Sequence, residues 1–242
     1  MLFRSHNLHF VVYARSMQGH RAQALQAADA MTAAATPMAQ FIPELADGFL
    51  AQTVFARVRT LAWDEVLQMK QPSEKLVAMN AMWRYARVLA MLAKGDRAGA
   101  ARERQAFDEA RKKVPAEAPW GQNKASDVMT MAGEIVAARF GEDPIVHWEK
   151  AVAIQDGFVY DEPPAWYYPV RESLGAELVR AGRAAEGEKV LREGLRRSPR
   201  NGYILFALME ALKAQGKDAE QVRREFDAAW AKSDVKLTLG VL

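Results

Sequence analysis

The amino-acid sequence predicts an all-α protein in which about six helix pairs stack into a right-handed superhelix. Apolar residues recur at helical spacing along most of the chain, as at Leu8, Val11 and Val12. Glycine or proline interrupts this spacing at intervals, which indicates helices joined by short turns. The last two turn glycines, Gly182 and Gly216, lie 34 positions apart (216 − 182 = 34), and this is the period of a repeat built from two helices.

The composition narrows the class of protein. The chain has 242 residues, of which 50% are hydrophobic, so it is long enough to bury a large core. It contains no cysteine, which excludes disulfides, cysteine nucleophiles and thiolate metal sites. We expect no membrane span, because no run of about 18 apolar residues occurs; Arg84 and Arg87, for example, interrupt one of the most apolar segments.

The first residues give no lead-in to the first helix, and we therefore expect a fragment that is truncated at its N-terminus. We expect a cytoplasmic location. The periplasm stays open as the alternative, because a signal peptide could have been lost with the missing part. We expect residues 1–242 to form a single helical-repeat domain.

The first four helix pairs are predicted from apolar periodicity and from the residues that interrupt it. Pro43 and Pro72 separate the second pair from its neighbours. Gly95 can adopt the left-handed conformation of a helix end, and Asp96 can cap the next helix. Pro144 suits the first turn of a helix. The predicted helices cover residues 6–34 with a break at Gly19 and His20, residues 45–60 and 63–69, residues 74–93 and 96–114, and residues 124–140 and 144–155.

Residues 166–232 hold the best-formed repeats, with one helix pair in residues 166–199 and the other in residues 201–215 and 218–232. Gly182 is expected to end the first helix of the earlier pair. Small residues belong where two helices pack too closely for a larger side chain, and leucines fill the space beside them. This alternation is typical of a tetratricopeptide (TPR) repeat, and its landmarks are Leu174, Gly175, Leu178, Gly182, Gly187, Leu191, Gly194, Leu195 and Pro199.

Four separated blocks of sequence are distinctive: HNLHF at residues 6–10, AWDEVL at 62–67, MWRYARVLA at 82–90, and residues 162–202, which begin EPPAWYYPVRESLG. With these blocks the chain resembles the C-terminal half of a group of bacterial TPR proteins of unknown function. The resemblance covers most of the chain and implies a superhelix whose first helices line a concave wall; it implies no particular activity. Gly187 stands where alanine is typical, and we expect it to loosen its helix by roughly 0.5–1 kcal/mol.

A linker rich in aromatic residues and proline, residues 157–168, joins the fourth and fifth pairs. It could be a recognition surface, because tryptophan and tyrosine are enriched where partners bind. We favour the alternative that it fills the wedge between the two pairs, since the exposed ends of both pairs must be covered. After residue 232, Val235, Leu237 and Leu239 alternate with polar residues, which predicts an extended segment against the last pair.

The concave surface of a TPR superhelix is the expected site for a peptide or a helix of a partner protein. Its charges are mixed, so we expect a partner that is neither strongly acidic nor strongly basic. The candidate partner-binding residues are Glu172, Val179 and Arg180 on the fifth pair, Phe206, Glu210 and Lys213 on the sixth, and Trp166 and Tyr167 in the linker.

The basic stretch from residue 180 to residue 200 has seven cationic side chains and three glutamates. Nucleic-acid binding is one interpretation of this excess. Glu188 with Arg192 and Glu193 with Arg197 are, however, spaced four apart, which is the pattern of an exposed, ion-paired helix face. We therefore expect no nucleic-acid partner.

Two classes of function remain. His6 and His9 lie three apart and share a helix face, but two histidines are fewer than the three or four ligands of a zinc site. We therefore expect no metal, no cofactor and no catalytic residues, and predict a noncatalytic scaffold for protein–protein interaction. The alternative is a helical-repeat enzyme or metal-binding module, with a site near His6 and His9 and a missing N-terminal region.

Overall fold

The structure is a computed structural model that describes residues 2–242, without the side chains of residues 2–4, 44 and 45. In this part of the chain 69% of the residues are helical, which confirms the all-α class. None of the described helices is long and apolar enough to cross a membrane. The helices are α1 Leu2–Met17, α2 Arg21–Ala35, α3 Pro43–Arg59, α4 Trp63–Gln68, α5 Val77–Ala93, α6 Arg97–Lys112, α7 Ala125–Phe140, α8 Pro144–Asp156, α9 Arg171–Arg180, α10 Ala184–Arg197, α11 Gly202–Ala214 and α12 Glu220–Trp230.

Two short elements were not predicted from the sequence. A single 3₁₀ helix, Thr36–Gln40, precedes α3. In the region predicted as a loop, β1 (Pro119–Trp120) pairs antiparallel with β2 (Asn123–Lys124). Both elements are too short to carry a periodic signal, because two or five residues do not complete a recognisable pattern.

Consecutive helices pack against each other in six pairs, α1 with α2 through α11 with α12. In the pair formed by α3 and α4 the turn uses Leu61, whose φ of 59° is unusual for a residue with a side chain. The other five turns use the predicted glycines, and all five have φ between 66° and 81°, as the end of a helix requires: Gly19, Gly95, Gly141, Gly182 and Gly216.

The close approach of α9 and α10 explains two of the predicted glycines. A Cβ atom on Gly175 would lie 2.4 Å from a side-chain carbon of Leu191. A Cβ atom on Gly187 would lie 2.9 Å from the backbone oxygen of Gly175. The expectation that Gly187 merely loosens its helix is therefore corrected, because alanine would not fit there without a shift of the backbone.

Helix pairs that are far apart in sequence also touch. The hydroxyl of Tyr203 in α11 donates to the backbone oxygens of Ser16 and Arg59, each at 3.1 Å. The ring of Trp230 in α12 lies against Gly19, in the turn between α1 and α2. The first and last helix pairs are thus in contact, whereas the sequence predicted packing between neighbouring pairs only.

The end of the aromatic linker, residues 165–168, is buried, whereas Tyr160 is 78% exposed. Trp166, Tyr167 and Tyr168 each expose 7% or less of their surface. Tyr167 stacks on Phe55 of α3 with 4.4 Å between ring centroids, and its hydroxyl lies 3.0 Å from that of Tyr85 in α5. Tyr168 also contacts the fourth and fifth pairs, because its backbone oxygen accepts from Gln155 of α8 at 2.8 Å and its hydroxyl accepts from Ser173 of α9 at 3.3 Å. The end of the linker therefore packs against the second and third helix pairs in addition to the fourth and fifth.

Candidate functional site

The ends of several helices surround an open cavity of about 490 Å³, which we call the interhelical cavity. Residues at or near the C-terminal ends of α3, α5, α7 and α9 contribute to it. Residues near the starts of α4, α8 and α11 also line it, together with residues of the final segment of the chain, 238–242. The helix pairs themselves therefore position its walls. Residues in its lining that bear charge or a large ring include Arg59, Trp63, Tyr85, Arg139, Trp148 and Arg180.

A buried ion pair lies in the wall of the interhelical cavity. The guanidinium of Arg59 in α3 donates through both Nη atoms to the carboxylate of Glu172 in α9, with Nη2–Oε2 at 2.9 Å. The two side chains expose only 5% and 1% of their surface. Burial raises the pKa of Glu172, and the nearby Arg59 opposes this change. The ion pair joins the second helix pair to the fifth, so its role is to hold the walls together.

Aromatic rings complete the surroundings of Arg59. Its guanidinium carbon lies 3.3 Å from the ring centroid of Tyr203 and 5.2 Å from that of Tyr168. Burial raises the pKa of Tyr85, Tyr167 and Tyr168, and it raises the pKa of Tyr203 to about 12. These phenols are therefore neutral at physiological pH and act as hydrogen-bonding and packing groups.

A second arginine in the lining binds backbone rather than a carboxylate. Arg139, near the end of α7, donates to the backbone oxygens of Gly240, at 3.4 Å, and of Leu242. Ser173 of α9 donates to the same Leu242 oxygen at 2.7 Å. The Arg139 guanidinium also lies 5.0 Å from the ring of Trp148. Arg139 and Ser173 thus hold the last residues of the chain through their backbone oxygens.

Three of the predicted partner-binding residues are not accessible. Glu172 and Trp166 are each 1% exposed, and Tyr167 is 7% exposed. Glu172 is held by its ion pair, and the two rings pack into the core of the molecule. We therefore remove these three residues from the candidate partner-binding surface, because a partner could reach them only if the structure opened.

The remaining predicted residues are divided between two surfaces. Arg180 lines the interhelical cavity, and half of its side chain is exposed beside Glu177. Phe206 packs instead on Phe226 of α12, with 5.7 Å between ring centroids. Lys213 forms an exposed ion pair of 2.8 Å with its neighbour on the same helix. Lys213 is not one of the described residues that line the interhelical cavity.

The same division applies to the last two predicted residues. Val179 is half-buried and packs against the apolar cluster of α9, α10 and α11. Glu210 is the partner of Lys213 in its ion pair. Neither lies in the described lining of the interhelical cavity. Of the predicted residues that a partner could reach, Arg180 therefore lies in the described lining of the cavity. Val179 and the three predicted residues of α11 lie outside it.

His6 and His9 lie in a different place, a largely apolar cavity of about 390 Å³ that we call the histidine cavity. The rings of Phe49 and Phe10 contact His9 and His6 edge-on. Burial lowers the pKa of His9 to about 4, although a hydrogen bond with Gln52 opposes this change. No group of three or more histidine, aspartate or glutamate side chains is arranged to hold a metal ion in the described part of the chain.

The basic stretch on α10 is largely ion-paired. Arg192 contacts Glu188 at 2.8 Å, and Arg197 contacts Glu193 at 2.8 Å, which confirms both predicted pairs. Arg197 also contacts Asp156 of α8 at 2.7 Å. The excess of positive charge in the sequence is thus partly neutralised on the helix itself and by the neighbouring pair.

Comparison with known protein families gives no matching family, and no curated protein matches the sequence. The interpretation of the cavity therefore depends on its geometry. Sequence reasoning missed Arg59 and Arg139, because their partners lie more than 100 positions away. The one local signal is that each arginine stands near the end of an apolar helix, where a charged side chain needs a partner.

Proposed function

We propose that the chain is a noncatalytic, TPR-like scaffold that binds a segment of a partner protein in the interhelical cavity. The observation that carries this proposal is that α3, α5, α7 and α9, the first helices of four successive pairs, all contribute to one cavity of about 490 Å³, to which α4 and α8 add Trp63 and Trp148. This is expected when stacked helix pairs form a superhelix with the first helices on its concave side. The five turn glycines with positive φ further support TPR-like pairs.

The chemistry of the lining supports a peptide ligand. Tyrosine, tryptophan and arginine are the side chains that most often carry binding energy at protein interfaces, and all three occur in the lining. Arg180 and Glu177 add one charge of each sign near its exposed part. The cavity is thus suited to a segment with apolar side chains and little net charge.

The proposal is tested by quantitative capture of binding proteins from the host lysate, read out by mass spectrometry. The test variant is Arg180→Glu, which reverses a charge in the lining. The matched control is Arg183→Glu: both arginines are about half exposed and form an ion pair with a glutamate three positions away, but Arg183 is outside the described lining. We expect Arg180→Glu to lower the retained amount of a specific partner about tenfold or more, and Arg183→Glu to leave it unchanged.

A third variant, Lys213→Glu, separates the geometry of the structure from the arrangement predicted from the sequence. If the groove followed the sequence prediction, Lys213 would contact the partner together with Arg180. We expect no loss of capture in this variant, because Lys213 is outside the described lining. Equal losses with Arg180→Glu and Arg183→Glu would show a nonspecific charge effect and would count against the cavity as the binding site.

The second candidate function is a metal-binding or catalytic module at the histidine cavity. It is favoured by one observation, that His6 and His9 line the same cavity. Asp161 and Glu162 also line this cavity, but within the described residues they do not join the histidines in a group that could hold a metal ion. Metal analysis of the purified protein, beside a variant with His6→Ala and His9→Ala, tests it. Stoichiometric metal that is lost in the variant would support this function, and absence of metal from both proteins would remove it.

A further inference from the structure

The last segment of the chain is anchored to the turn between α1 and α2, beside the end of α12. Ser233 Oγ donates to the backbone oxygen of Gly19 at 3.0 Å. The carboxylate of Asp234 accepts from the backbone N–H groups of Arg21, at 2.6 Å, and Ala22, at 3.2 Å, at the start of α2. A carboxylate at a helix N-terminus is favourable, so residues 233 and 234 form a stable anchor.

Beyond this anchor the segment enters the interhelical cavity. The side chain of Leu242 is buried in the apolar cluster that contains Ala176 and Tyr203. Its backbone oxygen accepts from Ser173 and Arg139, and Arg139 also reaches the oxygen of Gly240. The backbone N–H of Val241 donates to the Thr238 oxygen at 3.2 Å, so residues 238–241 form a turn. The cavity wall therefore already contains a turn of polypeptide, held by its backbone oxygens and by one apolar side chain.

The segment fills its place incompletely. An open space of about 490 Å³ remains beside Thr238, Gly240 and Val241, which all line it. Gly240 has no side chain to place there. Gly240 is exposed, and a Cβ atom there would meet only Thr238 Oγ1, at 3.8 Å, so a larger side chain has room at this position. A partner segment with a large apolar side chain there would remove more apolar surface from water than this segment does.

We propose that residues 237–242 occupy the binding site of a partner segment, which replaces them and presents a large apolar residue where this chain has Gly240. This inference depends on the proposed function above and identifies its ligand by chemistry: an apolar peptide that offers backbone oxygens to Arg139 and Ser173. Because the anchor at Asp234 keeps residues 237–242 close to the cavity, the partner must compete with an intramolecular segment.

The experiment uses the full chain with a dye on the thiol introduced by Thr238→Cys. The chain has no cysteine, so this thiol is unique, and Thr238 is exposed. Three synthetic peptides are added: residues 233–242 unchanged, the same peptide with Gly240→Trp, and the same peptide with Leu242→Asp. Dye emission reports whether the segment leaves the cavity.

We expect the peptide with Gly240→Trp to displace the segment at a concentration at least tenfold lower than the unchanged peptide, and the peptide with Leu242→Asp to have no effect. Equal effects of the first two peptides, or no displacement by either, would overturn the inference. In that case, partner capture that depends on Arg180 would still support the proposed function. If the peptide displaced the segment but no partner were captured through Arg180, the peptide site would be supported and the proposed scaffold function would be wrong.

A second pair of variants tests the contact that holds the segment. Arg139→Gln should shift the dye emission toward that of a solvent-exposed dye before any peptide is added. The matched control is Arg97→Gln, because Arg97 also donates to a backbone oxygen, that of Phe140 at 2.6 Å, but is outside the described lining. The same emission in both variants and in the unsubstituted background would contradict the role given to Arg139.

Discussion

The buried ion pair between α3 and α9 gives the sharpest prediction for stability. In Glu172→Gln the carboxylate is replaced by a neutral amide of the same shape, and the Arg59 guanidinium keeps its charge. The Arg59 side chain is only 5% exposed, so water cannot replace the lost partner. Removing one member of a buried ion pair typically costs about 3–5 kcal/mol, and we expect the free energy of unfolding to fall by this amount.

The assay is urea unfolding at neutral pH, followed by circular dichroism. The matched control is Glu186→Gln, which removes a carboxylate that also receives two hydrogen bonds from an arginine, Arg183, each at 2.7 Å. That pair is exposed, so its loss should cost much less than the loss of the buried pair. If Glu172→Gln cost no more than Glu186→Gln, the idea that this pair joins distant helix pairs in a buried site would be wrong.

A double variant shows whether the cost comes from the unpaired charge. Replacing both members of a buried pair with apolar residues of similar size is often close to neutral. We therefore expect Arg59→Met combined with Glu172→Leu to be more stable than Glu172→Gln alone. If the double variant lost as much free energy of unfolding as Arg59→Met and Glu172→Leu lose together when made singly, the two side chains would contribute independently.

Two further predictions concern glycine packing and pH. Gly187→Ala should lower the free energy of unfolding by about 1–3 kcal/mol, because the added Cβ meets the Gly175 backbone. The control is Gly48→Ala in α3, where the added Cβ meets no atom within 4 Å. This variant should raise the free energy of unfolding by about 0.5–1 kcal/mol, because alanine favours a helix more than glycine does. Between pH 6.5 and 4 the unfolded chain binds a proton at His9 that the folded chain does not, so stability should fall by about 3 kcal/mol as pH is lowered through this range. Urea unfolding checks both predictions; equal pH dependence in the wild type and His9→Asn would contradict the second.

The features that the sequence predicted well are local. Helix ends follow apolar periodicity and turn residues, so the predicted break at Gly182 agrees with a positive φ there. The small residues Gly175 and Gly187 correctly indicated that α9 and α10 pack closely. The turn at Leu61 shows the limit of this approach, because leucine gives no turn signal although its φ is positive.

The features that were missed depend on contacts between residues distant in sequence. Arg59 and Glu172 are 113 positions apart, and no local pattern indicates that they meet. Phe206 was assigned to the groove because its helix was treated as an open wall, but the ring packs on α12. The repeat pattern describes contacts between neighbouring pairs, whereas the cavity is formed by pairs that also close on one another.

The role of the interhelical cavity is tested most directly by hydroxyl-radical footprinting of the protein alone and with its captured partner. Trp63 and Leu92 line the cavity and are partly exposed, so each should be protected when the partner binds. Phe41 is 82% exposed and lies outside the described lining, so its reactivity should stay the same. Protection of Phe41 without protection of Trp63 and Leu92 would place the partner elsewhere and contradict the proposed function.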